Sequence, residues 1–237
     1  MLCYVMTDLK IKREKLDQML KSAVSKSFNT ISIDGDQSTS DTVLALSSNE
    51  YEASEEDERE FQSCLNEICS NLSEDIVRNG EGTQHVIKVK VTGAPSDIFA
   101  RDLGRFVCNS NLIKCAVNGN DPNVGRIVGA VGSFLGNQID GSKYTKGLVI
   151  RLNEKKIFDS GSFALNNDVE NFLSDAMQEA QLFPNSVPES ERNYPPHFLS
   201  VNIDIALNYD SLSQGSCCVI GSDLSKEYVE VNADYRS

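Results

Sequence analysis

The chain has 237 residues, and 40% of them are hydrophobic, which is enough to form a core for one large domain or two small ones. Its 35 acidic and 22 basic side chains give a net charge of −13, and this charge argues against nucleic acids and anionic membrane surfaces as partners. Since no apolar run is long enough to span a bilayer, we also expect no membrane-spanning segment.

The first part of the chain alternates between strand and helix patterns. Short apolar runs predict strands, and apolar residues that recur every three or four positions predict amphipathic helices. In chain order these are a strand at Leu2–Met6, a helix at Lys12–Phe28, strands at Ile31–Ile33 and Val43–Leu46, and a helix with an apolar face over 61–76. The acid-rich stretch Tyr51–Glu60 suits the first turn of that last helix, because the helix dipole favours negative charge there.

The alternation continues to the end of the chain. In order, the later elements are a half-buried strand at His85–Val91, a helix at Asp97–Cys108, a strand at Leu112–Val117, the loop Asn118–Asn123, a short glycine-containing helix, strands at Leu148–Leu152 and Lys156–Phe158, a helix around 169–176, a proline-rich loop at Gln181–Pro196, and strands at Leu199–Leu207, Cys217–Ile220 and Tyr228–Val231. We therefore predict an α+β fold of mixed α/β layers. We predict two domains: a larger α/β domain at 1–125 and a smaller α+β domain at 126–237.

The cysteines are seven in number, and most lie in apolar runs: Cys3, Cys64, Cys69, Cys108, Cys115, Cys217 and Cys218. An odd set without a CxxC pair favours buried, reduced thiols over a disulfide framework or a zinc site. We therefore expect no metal and no other cofactor. Met1–Lys10 resembles neither a signal peptide nor a transit peptide, so we expect the cytoplasm, with a mitochondrial or plastid matrix as the alternative.

Two further patterns each allow a functional and a structural interpretation. Asp34 and Asp36 flank Gly35 and offer carboxylates to a divalent cation, but the same residues suit a tight polar turn, which we favour. The glycines at 125, 129, 132 and 136 suggest a dinucleotide-binding loop, but their spacing is not GxGxxG. Close packing of a helix is the favoured explanation of these glycines.

No common catalytic motif accompanies these elements. The sequence contains no GxSxG elbow, no HExxH helix and no P-loop, and neither His85 nor His197 has an obvious nucleophile beside it. Composition and periodicity therefore describe an acidic α/β protein without naming its reaction.

Four longer strings are more specific. They are SFNTISIDGDQSTSDT at Ser27–Thr42, NGEGTQH at Asn79–His85, GNDPNVGRI at Gly119–Ile127 and VNADYRS at Val231–Ser237. Together with the opening MLCYVMTD, their order and spacing resemble the β chain of the ornithine acetyltransferase family, the bifunctional glutamate N-acetyltransferases of arginine biosynthesis. The sequence departs from the usual family strings at Gln37, Ser40 and Val124.

The resemblance implies an α-β sandwich of the N-terminal-nucleophile type, similar to an aminopeptidase, and a precursor that cleaves itself before a threonine. That threonine then carries acetyl from N-acetylornithine to glutamate, and its own α-amino group serves as the base. In this family the α chain supplies the oxyanion-binding groups, and two α and two β chains form a heterotetramer. The threonine would directly precede Met1, so we expect no nucleophile within these 237 residues.

Three residues match the substrate site of the family. By their positions in the strings, Glu81 resembles a glutamate that meets the substrate's amino group, and Asn232 and Ser237 resemble groups that hydrogen-bond an amino-acid head group. Without the resemblance, Glu81 is a turn residue between glycines, and 232–237 is a frayed chain end. The resemblance predicts instead that the tail folds back into the site.

The missing threonine leaves two functions open. The chain is either an acyltransferase subunit that needs its α chain and the threonine, or a non-catalytic amino-acid-binding or scaffolding remnant that keeps Glu81, Asn232 and Ser237. The sequence leaves open whether acetyl-CoA is a further acetyl donor, because the resemblance implies the same residues in both cases.

Overall fold

A computed structural model describes residues 1–139, 141–183, 197–208 and 214–233. The described chain divides into two compact units: Met1–Ile31 with Gly35–Ile76, and Ser32–Asp34 with Val77–Ser237. The predicted domain boundary between residues 125 and 126 falls inside the second unit. The division of the chain into domains at 1–125 and 126–237 stays a prediction.

The first unit is built on two parallel strands, β1 (Leu2–Lys10) and β3 (Thr42–Glu52). Helix α1 (Arg13–Ser25) and the portion of helix α2 (Glu55–Arg78) up to residue 76 complete this unit. Its buried core consists of Cys3, Val5, Ile11, Met19, Ala23, Phe28, Leu65 and Cys69. The prediction that Tyr51 opens a helix is wrong, because Tyr51 pairs with Leu9 and extends β3.

Among the described residues, seven strands form one mixed sheet in the second unit. Across the sheet they are β2 (Ile31–Ser32), β9 (Gly215–Ser222), β4 (Val86–Ala94), β8 (Val201–Ala206), β5 (Val149–Leu152), β6 (Lys155–Asp159) and β7 (Ser162–Phe163). Strand β4 runs parallel to β8 and antiparallel to β9. One face of β4 contributes Ile87, Val89 and Val91 to the core, whereas Lys88 on the other face is half-buried and Lys90 is exposed, as the predicted half-buried strand requires.

Six helices of the described chain accompany this sheet: α3 (Asp97–Cys108), α4 (Asn111–Asn118), α5 (Val124–Gly136), α6 (Ser142–Thr145), α7 (Asn167–Glu179) and α8 (Lys226–Ala233). Helix α3 begins at Ser96, whose Oγ accepts the backbone N–H of Phe99. It packs closely on β9, because a Cβ added at Gly104 would lie 2.8 Å from a methyl carbon of Val219. None of the described helices is both long enough and apolar enough to cross a bilayer.

Two predicted strands are helices. Leu112–Val117 lies in α4, where Ile113, Ala116 and Val117 form one buried helical face; a short apolar run fits either period. Tyr228–Val231 lies in α8, which starts where the Ser225 Oγ accepts the Tyr228 backbone N–H. This capping bond outweighs the strand propensity of the tyrosine and valines. The predicted α+β class is confirmed.

Candidate substrate site

Glu81 lies in a tight turn that follows helix α2. The Thr83 backbone N–H bonds to the Gly80 carbonyl over 3.0 Å, and Gly82 adopts a φ of +64°. A Cβ at Gly82 would lie 2.4 Å from the backbone nitrogen of Tyr228, so the turn and the start of α8 touch backbone to backbone. Gly82 is therefore required by its φ and by its approach to α8, and a Cβ at Gly80 would lie 2.6 Å from the Thr83 hydroxyl oxygen. The Glu81 side chain between these glycines is exposed.

Asn232 projects from the last turns of α8 towards Glu81. Its Nδ2 donates to the Glu81 Oε2 over 3.1 Å and to the Tyr228 backbone carbonyl over 3.0 Å. The structure thus brings together two of the three residues that the sequence predicted for a substrate site. Ser237 lies outside the described residues, and so does the end of the predicted tail.

A second carboxylate is attached to the same helix. The Tyr228 hydroxyl donates to the Asp34 Oδ2 over 2.8 Å, and this bond ties α8 to the residues that follow β2. Gly35 has a φ of +91°, as the predicted turn requires. Within the described ranges, no group of three or more His, Cys, Asp or Glu side chains is placed to hold a metal ion.

Asp223 is a buried residue on which several hydrogen bonds converge, and we call its carboxylate with these donors the hub. It directly follows β9, and its carboxylate accepts four hydrogen bonds: from the Gln84 and His85 backbone N–H groups at 2.9 and 3.1 Å, from the His85 ring at 2.9 Å and from the Asn118 Nδ2 at 2.8 Å. A carboxylate without such donors would be costly to bury. The hub holds the end of the Glu81 turn in place.

The ring of His85 is held on both sides. Its Nδ1 faces the Asp223 carboxylate, and its Nε2 lies 3.0 Å from the Asn120 Oδ1 and 3.2 Å from the Met177 backbone carbonyl. Both ring nitrogens therefore have an oxygen atom within hydrogen-bond distance. The His85 side chain is fully buried and contacts Asp223, so it acts within the core and not at the exposed surface of the site.

Lys114 is a buried cation near the same hub. Its Nζ donates to the Ile33 backbone carbonyl, just before Asp34. Burial lowers the pKa of the Lys114 ammonium, while the Cys108 thiol and the Asp223 and Asp34 carboxylates oppose that shift. Lys114 therefore anchors the segment that carries Asp34.

All four specific strings contribute residues to this one region of the second unit. Ser27–Thr42 supplies Asp34, Asn79–His85 supplies Glu81 and His85, Gly119–Ile127 supplies Asn120, and Val231–Ser237 supplies Asn232. No sequence pattern singled out four further residues of this region, which are Lys114, Asn118, Asp223 and Tyr228. The available signal was a charged residue within an apolar run, as for Lys114, but the run was interpreted as a strand.

An open cavity of about 920 Å³ lies between α3 and α5. It is lined by Arg105, Phe106, Arg126 and Phe134 among others, and it includes none of the groups around Glu81. The glycines at 125, 129, 132 and 136 lie on α5, and a Cβ added at any of them would meet no described atom within 4 Å. Within the described chain, the predicted close packing at these glycines is therefore wrong.

The comparisons with known proteins agree on one family. The sequence model of the ArgJ family matches residues 1–237. Proteins called "Arginine biosynthesis bifunctional protein ArgJ" are similar to the whole chain: that of Bifidobacterium longum is 36% identical over 239 residues, 53% of its own length, and that of Staphylococcus aureus strain Mu50 is 33% identical over 242 residues, 52% of its length. The chain thus spans about half the length of the curated relatives that it matches.

A crystal structure at 2.00 Å resolution of the Bacillus halodurans protein of the same name is similar in fold. Its TM-score is 0.79 at 28% sequence identity, and the match covers 99% of this chain and 100% of that one. The mixed α+β architecture described above is therefore also that of a solved relative.

Proposed function

Because the chain belongs to the ArgJ family, we propose that it is the β chain of a glutamate N-acetyltransferase of arginine biosynthesis. The observation that carries this proposal is the contact between Glu81 and Asn232, which the sequence places 151 positions apart. Such a pair offers a carboxylate and an amide to a charged amino acid, which suits N-acetylornithine and glutamate as substrates.

The proposed reaction has two steps at a threonine that precedes Met1. The threonine Oγ attacks the acetyl carbonyl of N-acetylornithine, and the threonine α-amino group takes the hydroxyl proton. The carbon–nitrogen bond then breaks, and the proton leaves with the amine of ornithine. In the second step, the neutral α-amine of glutamate attacks the acyl-threonine ester and loses a proton. The ester carbon–oxygen bond breaks, the threonine Oγ regains a proton through the threonine α-amino group, and N-acetylglutamate leaves.

In this scheme Glu81 binds and orients rather than reacts. Its carboxylate attracts the ammonium group of the substrate, and Asn232 keeps that carboxylate pointing in one direction. Ser237 completes the proposed site as a hydroxyl near the amino-acid head group. The scheme uses no metal or cofactor, and we place the reaction in the cytoplasm.

The proposal includes an α chain as partner, and the first unit supports this. One face of the β1–β3 pair exposes Leu2, Tyr4 and Met6 at 67, 54 and 77% of their surface. On β3, Leu44 pairs with Tyr4 and Leu46 pairs with Met6, and both leucines are also exposed. Parallel strands in folded proteins are nearly always covered on both faces. An apolar layer from an α chain would cover this face, and two such αβ pairs would form the heterotetramer.

The test is acetyl transfer by the full open reading frame, measured as N-acetylglutamate formed from N-acetylornithine and glutamate. The wild-type protein should cleave into two chains, and its β chain should gain one acetyl group in the presence of N-acetylornithine alone. Changing the threonine before Met1 to alanine should abolish both, whereas Thr7→Ala on β1 should abolish neither. A second assay with acetyl-CoA as donor asks whether the enzyme is bifunctional.

An inactive, uncleaved wild-type protein would contradict the proposal. In that case, binding of N-acetylornithine by this protein would support a non-catalytic amino-acid-binding remnant instead.

A further inference from the structure

Asp223 lies where the two segments that carry the proposed substrate residues meet. It directly follows β9 and precedes α8, the helix that carries Asn232. Its carboxylate also accepts the backbone N–H groups of Gln84 and His85, which come directly after the turn of Glu81. Asp223 therefore belongs to the segment that leads into α8, and its side chain is hydrogen-bonded to the segment that follows Glu81.

The surroundings of Asp223 leave it little freedom to move. The residue is 2% exposed, and its two oxygens accept four hydrogen bonds. Charge-assisted hydrogen bonds of this kind are among the stronger ones in proteins. The His85 ring, which donates one of them, is fixed on its far side by Asn120 and Met177. The position of the carboxylate is thus set by α4, by the loop that follows α4 and by α7.

We propose that Asp223 is a positioning residue for substrate binding. Its carboxylate holds the Glu81 turn and the start of α8 at a fixed separation, so that Glu81 and Asn232 meet the substrate as one unit. The inference rests on the proposed function, which makes those two residues substrate-binding. Asp223 acts through them, because its burial keeps it from touching the substrate itself.

A positioning role and a general structural role predict different measurements. If Asp223 only stabilises the fold, its loss lowers stability, and any effect on the Michaelis constant adds to that of a change at Glu81. If Asp223 acts by aiming Glu81, its effect on substrate binding largely disappears once the Glu81 charge is gone. A double-mutant cycle separates these two cases.

The experiment uses the full, cleaved protein with the variants Asp223→Asn, Glu81→Gln and their combination. Asp223→Asn should raise the KM and the Kd for N-acetylornithine about tenfold, the effect of one lost charge-assisted hydrogen bond, and should change kcat less. In the Glu81→Gln background the same change should have an effect of less than about twofold. The matched control is Asp159→Asn, which removes an exposed ion pair with Lys156 and should change neither constant.

Asn118→Ala provides a milder version of the test if Asp223→Asn does not fold. It removes a single donor to the Asp223 carboxylate and should show the same dependence on Glu81 with a smaller effect. Equal effects with and without the Glu81 charge would overturn the inference. Wild-type protein that binds N-acetylornithine but transfers no acetyl would contradict the proposed function alone. In that case the double-mutant cycle, measured as the Kd for N-acetylornithine, still decides the role of Asp223. No binding by the wild-type protein would overturn both.

Discussion

The side-chain amide of Asn232 donates a hydrogen bond to the carboxylate of Glu81 over 3.1 Å, although 151 positions separate the two residues. A turn after α2 carries Glu81, and α8 carries Asn232. A carboxylate that is held by an amide presents its charge in a fixed direction, which favours tight binding of an ammonium group. The pair and its supports can be tested one contact at a time.

Glu81→Gln removes the charge but keeps an oxygen that accepts from Asn232. We expect the KM for N-acetylornithine to rise about tenfold or more, because the substrate ammonium loses its partner. Stability should stay within about 0.5 kcal/mol, since the side chain is exposed. Steady-state kinetics and urea unfolding measure the two effects. Glu230→Gln, which removes an exposed pair with Lys226, is the control, and an unchanged KM in Glu81→Gln would contradict its substrate role.

Gly82→Ala should damage both stability and binding. The added Cβ would lie 2.4 Å from the Tyr228 backbone nitrogen, at a φ of +64° that disfavours alanine. We expect a loss of about 1–3 kcal/mol in the free energy of unfolding and a higher KM, because α8 must move away. Gly129→Ala on α5, where a Cβ meets no described atom within 4 Å, should instead be neutral or stabilise by up to about 1 kcal/mol. Similar results for the two variants would show that the contact with α8 is unimportant.

Tyr228→Phe removes one oxygen and with it the hydrogen bond to Asp34. The expected cost is about 0.5–1.5 kcal/mol of stability, together with a KM raised severalfold, because α8 and therefore Asn232 lose one attachment. Tyr51→Phe, at an exposed position on β3, is the matched control and should leave both quantities unchanged. If Tyr228→Phe equals wild type in KM, the bond does not help to hold Asn232.

Cys108 should make stability depend on pH under alkaline conditions. Burial raises the pKa of its thiol from 9.0 to about 11, so the folded state holds a proton that the unfolded state loses first. Its contribution is fully present below pH 9 and is lost as the pH rises from about 9 to 11, by on the order of 2 to 3 kcal/mol. Urea unfolding across this range measures the slope. Cys108→Ala should reduce the slope without abolishing it, because burial also raises the pKa of the Cys218 thiol, and an equal slope in both proteins would contradict the assigned cause.

Long or specific sequence patterns predicted the structure best. The helix at Asp97–Cys108 was predicted with the bounds that the structure shows, since its apolar residues keep one period over three turns. The strings around Glu81 and Asn232 also indicated the family that the chain matches. Short apolar runs predicted the structure less well. Leu112–Val117 and Tyr228–Val231 each fit the spacing of a strand as well as that of a helix, and packing made the first helical, whereas a capping bond made the second helical.

By itself, the sequence determined the α+β class and the family, and it singled out Glu81 and Asn232 for the candidate site, because these depend on local periodicity and on strings of specific residues. Only the tertiary structure showed that Glu81 touches Asn232, that Asp223 accepts from the backbone that follows the turn, and that Lys114 donates to Ile33 beside Asp34. Those contacts join residues that are 81 to 151 positions apart. No local pattern encodes such pairings, since they arise when separate strands and helices pack and buried polar groups must find partners.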